Sequence, residues 1–257
     1  MSNPIIITTR PYDDAQQDIA DLDRLNINAL AAPMLDIEPL SHHAKAQHNV
    51  DAVVFTSRHA PALVDQSLHH LACYCVGQST AQAAEKAGFQ KVISGPGDGQ
   101  GLVAAIDQHN QTAPDHDRIA QVFWPSAVDT GFNIADALRL HDIKTERVPV
   151  YKAATTNHWP QHVHAAIQNR QVAAVLMHSG RAGEHFTQMM QQHGLDEYRQ
   201  FITAIVISRR AAGLCGQGWH NIKIAATPRR SAMFAAAAEA LGLPPTCLDG
   251  IDLDQDL

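Results

Sequence analysis

Short apolar segments alternate with longer amphipathic segments along almost the whole chain, and this alternation constrains the fold more than any other feature. The apolar segments are predicted strands, at residues 5–8, 29–32, 52–55, 73–76, 91–94, 122–124, 145–151, 175–177, 204–207 and 223–226. The amphipathic segments are predicted helices, at residues 13–25, 61–70, 79–86, 101–109, 131–140, 160–169, 182–193, 209–216 and 231–241. Because short, continuously apolar strands that alternate with helices form parallel sheets covered on both faces, the pattern predicts an α/β fold.

The chain also repeats itself. Thr8-Thr9-Arg10-Pro11 aligns with Phe123-Trp124-Pro125-Ser126, and Phe55-Thr56-Ser57 aligns with Met177-His178-Ser179. Further matches in the same order pair residues 33 with 149, 76–81 with 207–212, 88–89 with 218–219 and 94–96 with 226–228. Matches that keep their order along the chain indicate two similar α/β units.

Two proline-containing segments, 33–39 and 148–154, have little helical potential and are predicted to be extended connections. If both of them join the units, the second unit is an insertion in the first. We therefore predict a first domain at 1–34 plus 155–245, a second domain at 41–147, linker strands at 35–40 and 148–154, and a disordered acidic tail at 246–257. The two domains are expected to face each other across a cleft.

Composition excludes several classes of protein. The 19 basic and 26 acidic residues give a net charge of −7, which argues against a nucleic-acid-binding protein. No apolar run approaches the roughly 20 residues that span a bilayer, so we expect no membrane insertion and a cytoplasmic location. The four cysteines, at positions 73, 75, 215 and 247, are interpreted as free thiols in a reducing compartment. The 16 histidines form no zinc-binding motif, and nearly all of them are interpreted as solvated surface residues.

Small polar residues gather where predicted strands lead into helices. Thr56-Ser57 and Gly77-Gln78-Ser79-Thr80 occupy such turns in one copy of the repeat, and His178-Ser179 and Ser208-Arg209-Arg210 occupy them in the other. Ligands of open parallel sheets bind beyond the carboxyl ends of the strands, where helix N-termini favour anions. The alternative interpretation is that these hydroxyls only cap the helices.

Basic residues favour an anionic ligand at the same edge. Residues 199–238 contain no acid and six basic residues: Arg199, Arg209, Arg210, Lys223, Arg229 and Arg230. Arg10, Arg58 and Arg181 each follow a predicted strand as well, and guanidinium groups match carboxylate and phosphate geometry. The glycine-rich segment 95–101 lacks the lysine of a phosphate-binding loop and is interpreted as a loop before a helix. No nucleophile motif or close acidic pair is visible in the sequence.

The order of these motifs resembles the uroporphyrinogen-III synthase family. The motifs are Thr9-Arg10-Pro11, Pro33-x-x-x-Ile37-x-Pro39, Phe55-Thr56-Ser57-x-x-Ala60, Val76-Gly77-x-x-Thr80-Ala81, Gly88-Phe89, Val148-Pro149-Val150-Tyr151-x-Ala153, Ser179-x-x-Ala182 and Ala226-Thr227-Pro228. The resemblance extends from Ile5 to Leu241, and it rests on the combination of motifs in this order.

The resemblance implies a fold and a reaction. The fold is two flavodoxin-like, doubly wound parallel-sheet domains joined by a two-stranded linker, with a cleft between them. The reaction is the cofactor-free cyclisation of hydroxymethylbilane in tetrapyrrole biosynthesis: the terminal hydroxyl leaves as water, a spiro-pyrrolenine forms, and ring D is inverted. The partner implied is this small polycarboxylate substrate, and we expect a monomer.

The resemblance also implies roles for individual residues. Tyr151, on the second linker strand, is the candidate acid near the departing hydroxyl, although it is equally compatible with a half-buried strand tyrosine. The candidate substrate-binding residues follow the ends of the predicted strands: Arg10, Thr56, Ser57, Arg58, Gly77, Ser79, Thr80, Ser179, Gly180, Arg181, Ser208, Arg209, Arg210, Thr227 and Pro228.

The chain departs from the family pattern in places. The second-half turn reads Ile207-Ser208-Arg209-Arg210 where the family has a Gly- and Thr-containing turn, and residues 126–129 replace the usual glycine- and arginine-containing stretch. These changes put single contacts in doubt. They leave open a catalytically inactive two-domain module that binds or senses an anionic small molecule. A flavodoxin-like flavin protein is a third alternative, which the low aromatic content disfavours.

Overall fold

The computed structural model describes residues 4–40 and 43–243. The predicted acidic tail, 246–257, lies outside the described residues. The described strands are β1 (Ile5–Thr8), β2 (Asn28–Ala31), β3 (Leu35–Pro39), β4 (Ala52–Phe55), β5 (Ala72–Cys75), β6 (Lys91–Ser94), β7 (Gln121–Ala127), β8 (Lys144–Thr155), β9 (Val172–Met177), β10 (Thr203–Val206) and β11 (Asn221–Ile224). The described helices are α1 (Tyr12–Arg24), α2 (Gln78–Ala87), α3 (Gly99–Thr112), α4 (Ile134–Arg139), α5 (Gln161–Gln168), α6 (Gly180–Gln192), α7 (Arg209–Leu214) and α8 (Arg230–Ala240).

The chain divides into two compact units, each built around one sheet. Among the described residues, unit 1 comprises 4–36 and 154–243, and unit 2 comprises 37–40 and 43–153. The chain passes from one unit to the other within β3 and again within β8. The predicted α/β class is confirmed, because each unit alternates parallel strands with helices.

Unit 1 contains a five-stranded sheet with the order β11-β10-β9-β1-β2. All of its neighbouring strands pair in parallel. Counted along the chain of this unit, the order is 2-1-3-4-5, which is the flavodoxin-like arrangement.

Unit 2 contains a six-stranded sheet with the order β3-β8-β7-β4-β5-β6. The strands from β8 to β6 pair in parallel. The edge strand β3 runs the other way: Leu40 N–H donates to Val150 O, and Thr156 N–H donates to Met34 O, so residue numbers fall along one strand as they rise along the other. An antiparallel edge strand on a parallel sheet is common in α/β folds.

The two sheets correspond strand for strand through the sequence repeat. The repeat aligns β1 with β7, β2 with β8, β4 with β9, β5 with β10, and β6 with β11. Replacing each strand of the unit 1 order by its counterpart gives β6-β5-β4-β7-β8, which is the parallel part of unit 2. The five parallel strands of each sheet therefore comprise two from one copy of the repeat and three from the other, and β3 is added to the edge of the unit 2 sheet.

The central strands are buried on both faces, as parallel sheets require. In β4, Val53 and Phe55 pack into one core cluster, whereas Ala52 and Val54 pack into another that contains residues of α3 and α4. No helix in the described part of the chain is long and apolar enough to cross a membrane.

One predicted helix is wrong. Residues 61–70 form two short 3₁₀ turns, Pro61–Leu63 and Gln66–Leu68, instead of one helix. Val64 between them is extended and bridges to Ala44, and the Asp65 side chain accepts a hydrogen bond from Ser67 N–H to start the second turn. This local capping interrupts the helix that the periodicity predicts.

Candidate functional site

A cavity of about 380 Å³ lies at the carboxyl ends of the unit 2 strands. It is lined by Thr56, Ser57, Val76, Gly97, Asp98, Gly99, Ala127, Asp129, Thr130, Gly131, Phe132 and Tyr151. Most of these residues follow β4, β5, β6 and β7, while Ala127 ends β7 and Tyr151 lies on β8. The sheet edge that binds ligands in open α/β folds therefore forms one concave surface. Three sequence-predicted site residues, Thr56, Ser57 and Tyr151, meet in it.

Thr56 and Ser57 are fixed by hydrogen bonds within the unit. The Trp124 indole N–H donates to Thr56 Oγ1 over 3.1 Å, and His59 N–H donates to Ser57 Oγ over 3.3 Å. Each hydroxyl accepts a hydrogen bond from the protein, and the O–H of Thr56 can donate to a carboxylate oxygen.

Tyr151 is the buried titratable group of this cavity. Its ring lies 5.7 Å from that of His59, and only 6% of the residue is exposed. Burial raises the pKa of Tyr151, and a side-chain hydrogen bond with Ser57 acts in the opposite direction. The phenol therefore carries its proton at neutral pH and can donate it.

Two segments that line the cavity, 97–99 and 129–132, were not predicted to contain site residues. The glycine-rich segment passes through Gly97, which has a φ of +106°, and Asp98 then caps α3 by accepting a 2.7 Å hydrogen bond from Gly101 N–H. A Cβ on Gly99 would lie 2.4 Å from Cδ1 of Phe132, so the ring of Phe132 packs directly on the helix start. The positive φ and the close approach both require glycine, and glycines directly after a strand were the available signal.

The remaining predicted residues of unit 2 lie beside the cavity without lining it. Gly77 is the N-cap residue of α2, next to the cavity-lining Val76. The side chains of Ser79 and Thr80 are buried in the first turn of α2. Arg58 follows Ser57 in the turn after β4 and is half-buried.

The predicted residues of unit 1 lie at the carboxyl edge of its own sheet. Ser179 Oγ accepts a 3.1 Å hydrogen bond from Ala182 N–H, and Ser208 Oγ accepts a 3.3 Å hydrogen bond from Ala211 N–H, so both serines cap helices. A Cβ on Gly180 would lie 2.5 Å from Cδ1 of Leu214, so this glycine permits the packing of α6 against α7. Exposed residues complete the edge: Arg181, Arg209, Arg210, Thr227 and Pro228.

Arg10 belongs to a buried ionic network that the sequence did not predict. Its guanidinium lies 3.1 Å from Asp18 Oδ1 and 3.5 Å from Asp14 Oδ2. Arg230 Nε lies 2.7 Å from the same Asp18 oxygen, and Arg230 Nη2 lies 2.5 Å from Asp21 Oδ2. The side chains of Asp18 and Arg230 are fully buried.

The protonation of this network follows from its burial. Burial alone would raise the pKa of Asp18, but interactions with His178, which is protonated only at the acid pH where Asp18 titrates, with Arg10 and Arg230, and a hydrogen bond from Thr8 hold it below its usual value. Thr8 Oγ1 donates that bond over 2.6 Å. Asp18 is therefore ionised at neutral pH.

His178 is an exception to the prediction that nearly all histidines are solvated surface residues. It follows β9, and only 12% of its side chain is exposed, with Nε2 3.8 Å from Asp18 Oδ2. Neither ring nitrogen has a hydrogen-bond partner among the described residues. Burial lowers the pKa of His178 to about 4; Asp18 raises it, and Arg10 and Arg230 lower it further. The ring is neutral at neutral pH, so the two arginines compensate Asp18.

Metal binding finds no support in the described ranges, 4–40 and 43–243: no three His, Cys, Asp or Glu side chains there lie close enough to share an ion. The two groups of site residues offer hydroxyls, a phenol, helix N-termini and guanidinium groups. The hydroxyls, helix N-termini and guanidinium groups suit an anionic organic ligand, and the phenol is a proton donor.

Comparison with known families gives a match over most of the chain. The family model described as uroporphyrinogen-III synthase HemD matches residues 16–235. Sequence comparison with curated proteins gives no match.

Solved structures also match over most of the chain. Uroporphyrinogen-III synthetase from Helicobacter pylori 26695 is 17% identical, with a TM-score of 0.58, over 92% of this chain and 99% of that one. A mutant uroporphyrinogen III synthase from the extremely thermophilic bacterium Thermus thermophilus is 13% identical, with a TM-score of 0.48, over 93% of this chain and 99% of that one. The first of these likenesses shows a shared fold.

Proposed function

The chain belongs to the uroporphyrinogen-III synthase family, and from this membership we propose that it cyclises hydroxymethylbilane to uroporphyrinogen III, with loss of water and inversion of ring D. The observation that carries the proposal is the family match over residues 16–235. The α/β fold shared with the Helicobacter pylori enzyme supports it.

In this reaction the main contribution of the protein is to position the substrate. Linear hydroxymethylbilane can cyclise unaided, but to the isomer in which ring D is not inverted. An enzyme has to hold the flexible chain so that the substituted carbon of ring D attacks, and orientation of this kind supplies much of a rate enhancement. The ring closure exchanges a C–O bond for a C–C bond and releases water, so no redox partner enters its balance.

We place the departure of the hydroxyl at the unit 2 cavity. The hydroxymethyl C–O bond breaks as the pyrrole nitrogen lone pair forms a delocalised cation, and the leaving oxygen takes a proton from Tyr151 to become water. The raised pKa of Tyr151 keeps that proton on the phenol until it is needed. The substituted carbon of ring D carries no hydrogen, so its attack on the cation gives the spiro-pyrrolenine. The bond from that carbon to its original bridging methylene then breaks, and the methylene bonds to the unsubstituted carbon of ring D, which inverts the ring. The proton lost from this second carbon returns to the tyrosinate.

The carboxylates of the substrate are proposed to bind hydroxyls and guanidinium groups. In unit 2, Thr56 offers an O–H donor at the cavity, and the hydroxyl of Ser57 lies beside the phenol of Tyr151. In unit 1, Arg209 and Arg210 offer exposed guanidinium groups beside the start of α7, whose N–H groups also favour anions. The capping serines, Ser179 and Ser208, accept hydrogen bonds through oxygen and retain an O–H for a carboxylate. Arg10 is held by Asp14 and Asp18, so we propose that it orders the edge of the sheet.

The decisive test follows product isomers. Freshly made hydroxymethylbilane is incubated with the protein, and the products are oxidised to porphyrins and resolved into isomers I and III. We expect isomer III in large excess over a protein-free reaction. Isomer I alone would overturn the proposal and favour the inactive ligand-binding module, which the comparisons do not support.

We also propose that the enzyme acts as a monomer in the cytoplasm. Cys73, Cys75 and Cys215 are buried free thiols, as expected in a reducing compartment. Light scattering of the purified protein tests the first point, because a dimer would have twice the mass of the 27.9 kDa chain. Fractionation of the producing cells tests the second.

A further inference from the structure

Arg147 does not line the cavity, yet it contacts several parts of its frame. It lies on β8 directly opposite Trp124 of β7 in the parallel ladder. The guanidinium carbon sits 5.2 Å from the centre of the indole ring, within the range of a cation–π interaction.

The same guanidinium holds the end of β7. Its Nε donates to Ser126 Oγ over 2.9 Å, and its Nη2 donates to the carbonyl oxygens of Ala127 over 3.0 Å and Val128 over 2.7 Å. The register of β7 against β8 shifts between Ser126 and Ala127, where the ladder is irregular. A bulge of this kind disrupts backbone pairing and redirects the chain, and here the arginine side chain supplies the hydrogen bonds.

Two residues that Arg147 contacts, Trp124 and Val128, are hydrogen-bonded to residues that line the cavity. Trp124, beneath the guanidinium, is fully buried and donates its indole N–H to Thr56 Oγ1. Val128, whose carbonyl accepts from Arg147, donates its own N–H to Tyr151 O over 2.9 Å. Arg147 is therefore one residue removed from the hydroxyl of Thr56 and from the backbone of the proposed acid.

We propose that Arg147 is a positioning residue for the reaction: it fixes the end of β7, and through Trp124 and Val128 it sets Thr56 and Tyr151 at the cavity. This inference rests on the proposed function of the cavity. The planar fork of arginine matches the three acceptors and the indole face together, which the ammonium group of lysine cannot do.

Two variants and a control separate positioning from stability. Arg147→Met keeps an unbranched stem over Trp124 and removes every guanidinium hydrogen bond. Arg147→Lys keeps the positive charge and removes the guanidinium fork. The control is Arg139→Met, which removes an exposed guanidinium paired with Asp136 on α4.

We expect Arg147→Met to lower kcat/KM by tenfold to a hundredfold and to lower the ratio of isomer III to isomer I, because misplaced reacting groups lose rate and selectivity. Arg147→Lys should recover part of both, and Arg139→Met should leave both unchanged. An Arg147→Met enzyme with wild-type kcat/KM and isomer ratio would overturn the inference while leaving the proposed function intact.

A spectroscopic readout tests the same point without turnover. The chain has three tryptophans, so Trp159→Phe and Trp219→Phe identify the indole N–H resonance of Trp124 by elimination in ¹⁵N-labelled protein. Arg147→Met should shift that resonance, and Arg139→Met should not. If the Trp124 resonance stays in place, Arg147 does not position the Thr56 side of the cavity, whatever the activity.

Discussion

Asp18 and Arg230 are 212 residues apart in the sequence and form a 2.7 Å ion pair in which neither side chain is exposed to solvent. The pair joins helix α1 to the first turn of α8, and Arg10, Asp21 and His178 surround it. Removing either partner of such a pair is expected to destabilise the fold, because a buried charge without a partner has a high free-energy cost.

Asp18→Asn is therefore expected to destabilise unit 1. The change removes one acidic partner of the buried Arg230 guanidinium, which also pairs with Asp21, and breaking a buried pair costs about 3–5 kcal/mol of unfolding free energy. Urea unfolding followed by circular dichroism measures the loss. The matched control is Asp136→Asn, which breaks an exposed pair with Arg139 and should cost about 1 kcal/mol or less. Equal losses in the two variants would mean that the buried pair contributes no more than a surface pair.

Stability should also depend on pH through His178. Burial lowers the pKa of His178 from 6.5 to about 4 in the folded protein, so between these values the unfolded chain binds a proton that the folded chain does not. The free energy of unfolding is expected to fall as the pH drops from 6.5 to 4, by on the order of 3 kcal/mol. Asp18, whose pKa is lowered, adds to the loss only below its unfolded value of 3.8.

Urea titrations at a series of pH values measure this slope. His178→Gln should flatten it between pH 6.5 and 4, whereas His70→Gln, which changes an exposed histidine, should leave it unchanged. A slope that survives in His178→Gln would assign the acid sensitivity to other groups.

Tyr151→Phe should lower kcat with little effect on stability. The phenol is the proposed proton donor, and loss of a general acid typically costs a factor of about 10² or more. The matched control is Tyr74→Phe, which removes a buried phenol from the cluster on the opposite face of the same sheet. Because the pKa of Tyr151 is raised above 10.0, the wild-type enzyme should show no loss of kcat from this group up to that pH. Wild-type kcat in Tyr151→Phe would remove the phenol from the mechanism.

Gly99→Ala tests whether the position of the Phe132 ring, which lines the cavity, matters for substrate binding. Its new Cβ would lie 2.4 Å from the Phe132 ring, so the ring has to move into or away from the cavity. Since Phe132 is 39% exposed, we expect the fold to tolerate the movement and KM to change severalfold. The control is Gly213→Ala in α7, where the new Cβ meets no atom within 4 Å among the described residues. Unchanged KM in Gly99→Ala would show that the position of Phe132 is immaterial to substrate binding.

The sequence predicts those parts of the fold that depend on local pattern. Strand β4 is a continuous apolar run and β1 is an apolar run that ends at Thr8, and the observed bounds of both agree with those predicted from the pattern. The pattern predicts Thr56 and Ser57 as site residues because strand ends meet at one edge of a parallel sheet, whereas Tyr151 is predicted from the resemblance to the family.

The rest depends on contacts between distant segments. Asp18 and His178 look like ordinary polar residues in the sequence, and only the pairing of β1 with β9 brings them together. Phe132 could not be assigned to the site either, because its role follows from a close approach to Gly99 in another loop. The helix predicted at 61–70 is wrong for a local reason: the Asp65 side chain caps a separate 3₁₀ turn, which the apolar periodicity does not reveal.

The exchange of strands between the two copies of the repeat imposes an order on assembly during synthesis. Every parallel strand of unit 2 comes from one continuous stretch, so its sheet can close as soon as β8 has left the ribosome. Strand β1 of unit 1 precedes unit 2 in the chain, but its neighbour β9, the central strand of the unit 1 sheet, follows more than 160 residues later, with Ile6 opposite Ala174. Until then the apolar edge of β1 has no partner strand on that side. Unit 1 is thus completed after unit 2, and until then the unpaired edge of β1 is a surface on which another strand can pair.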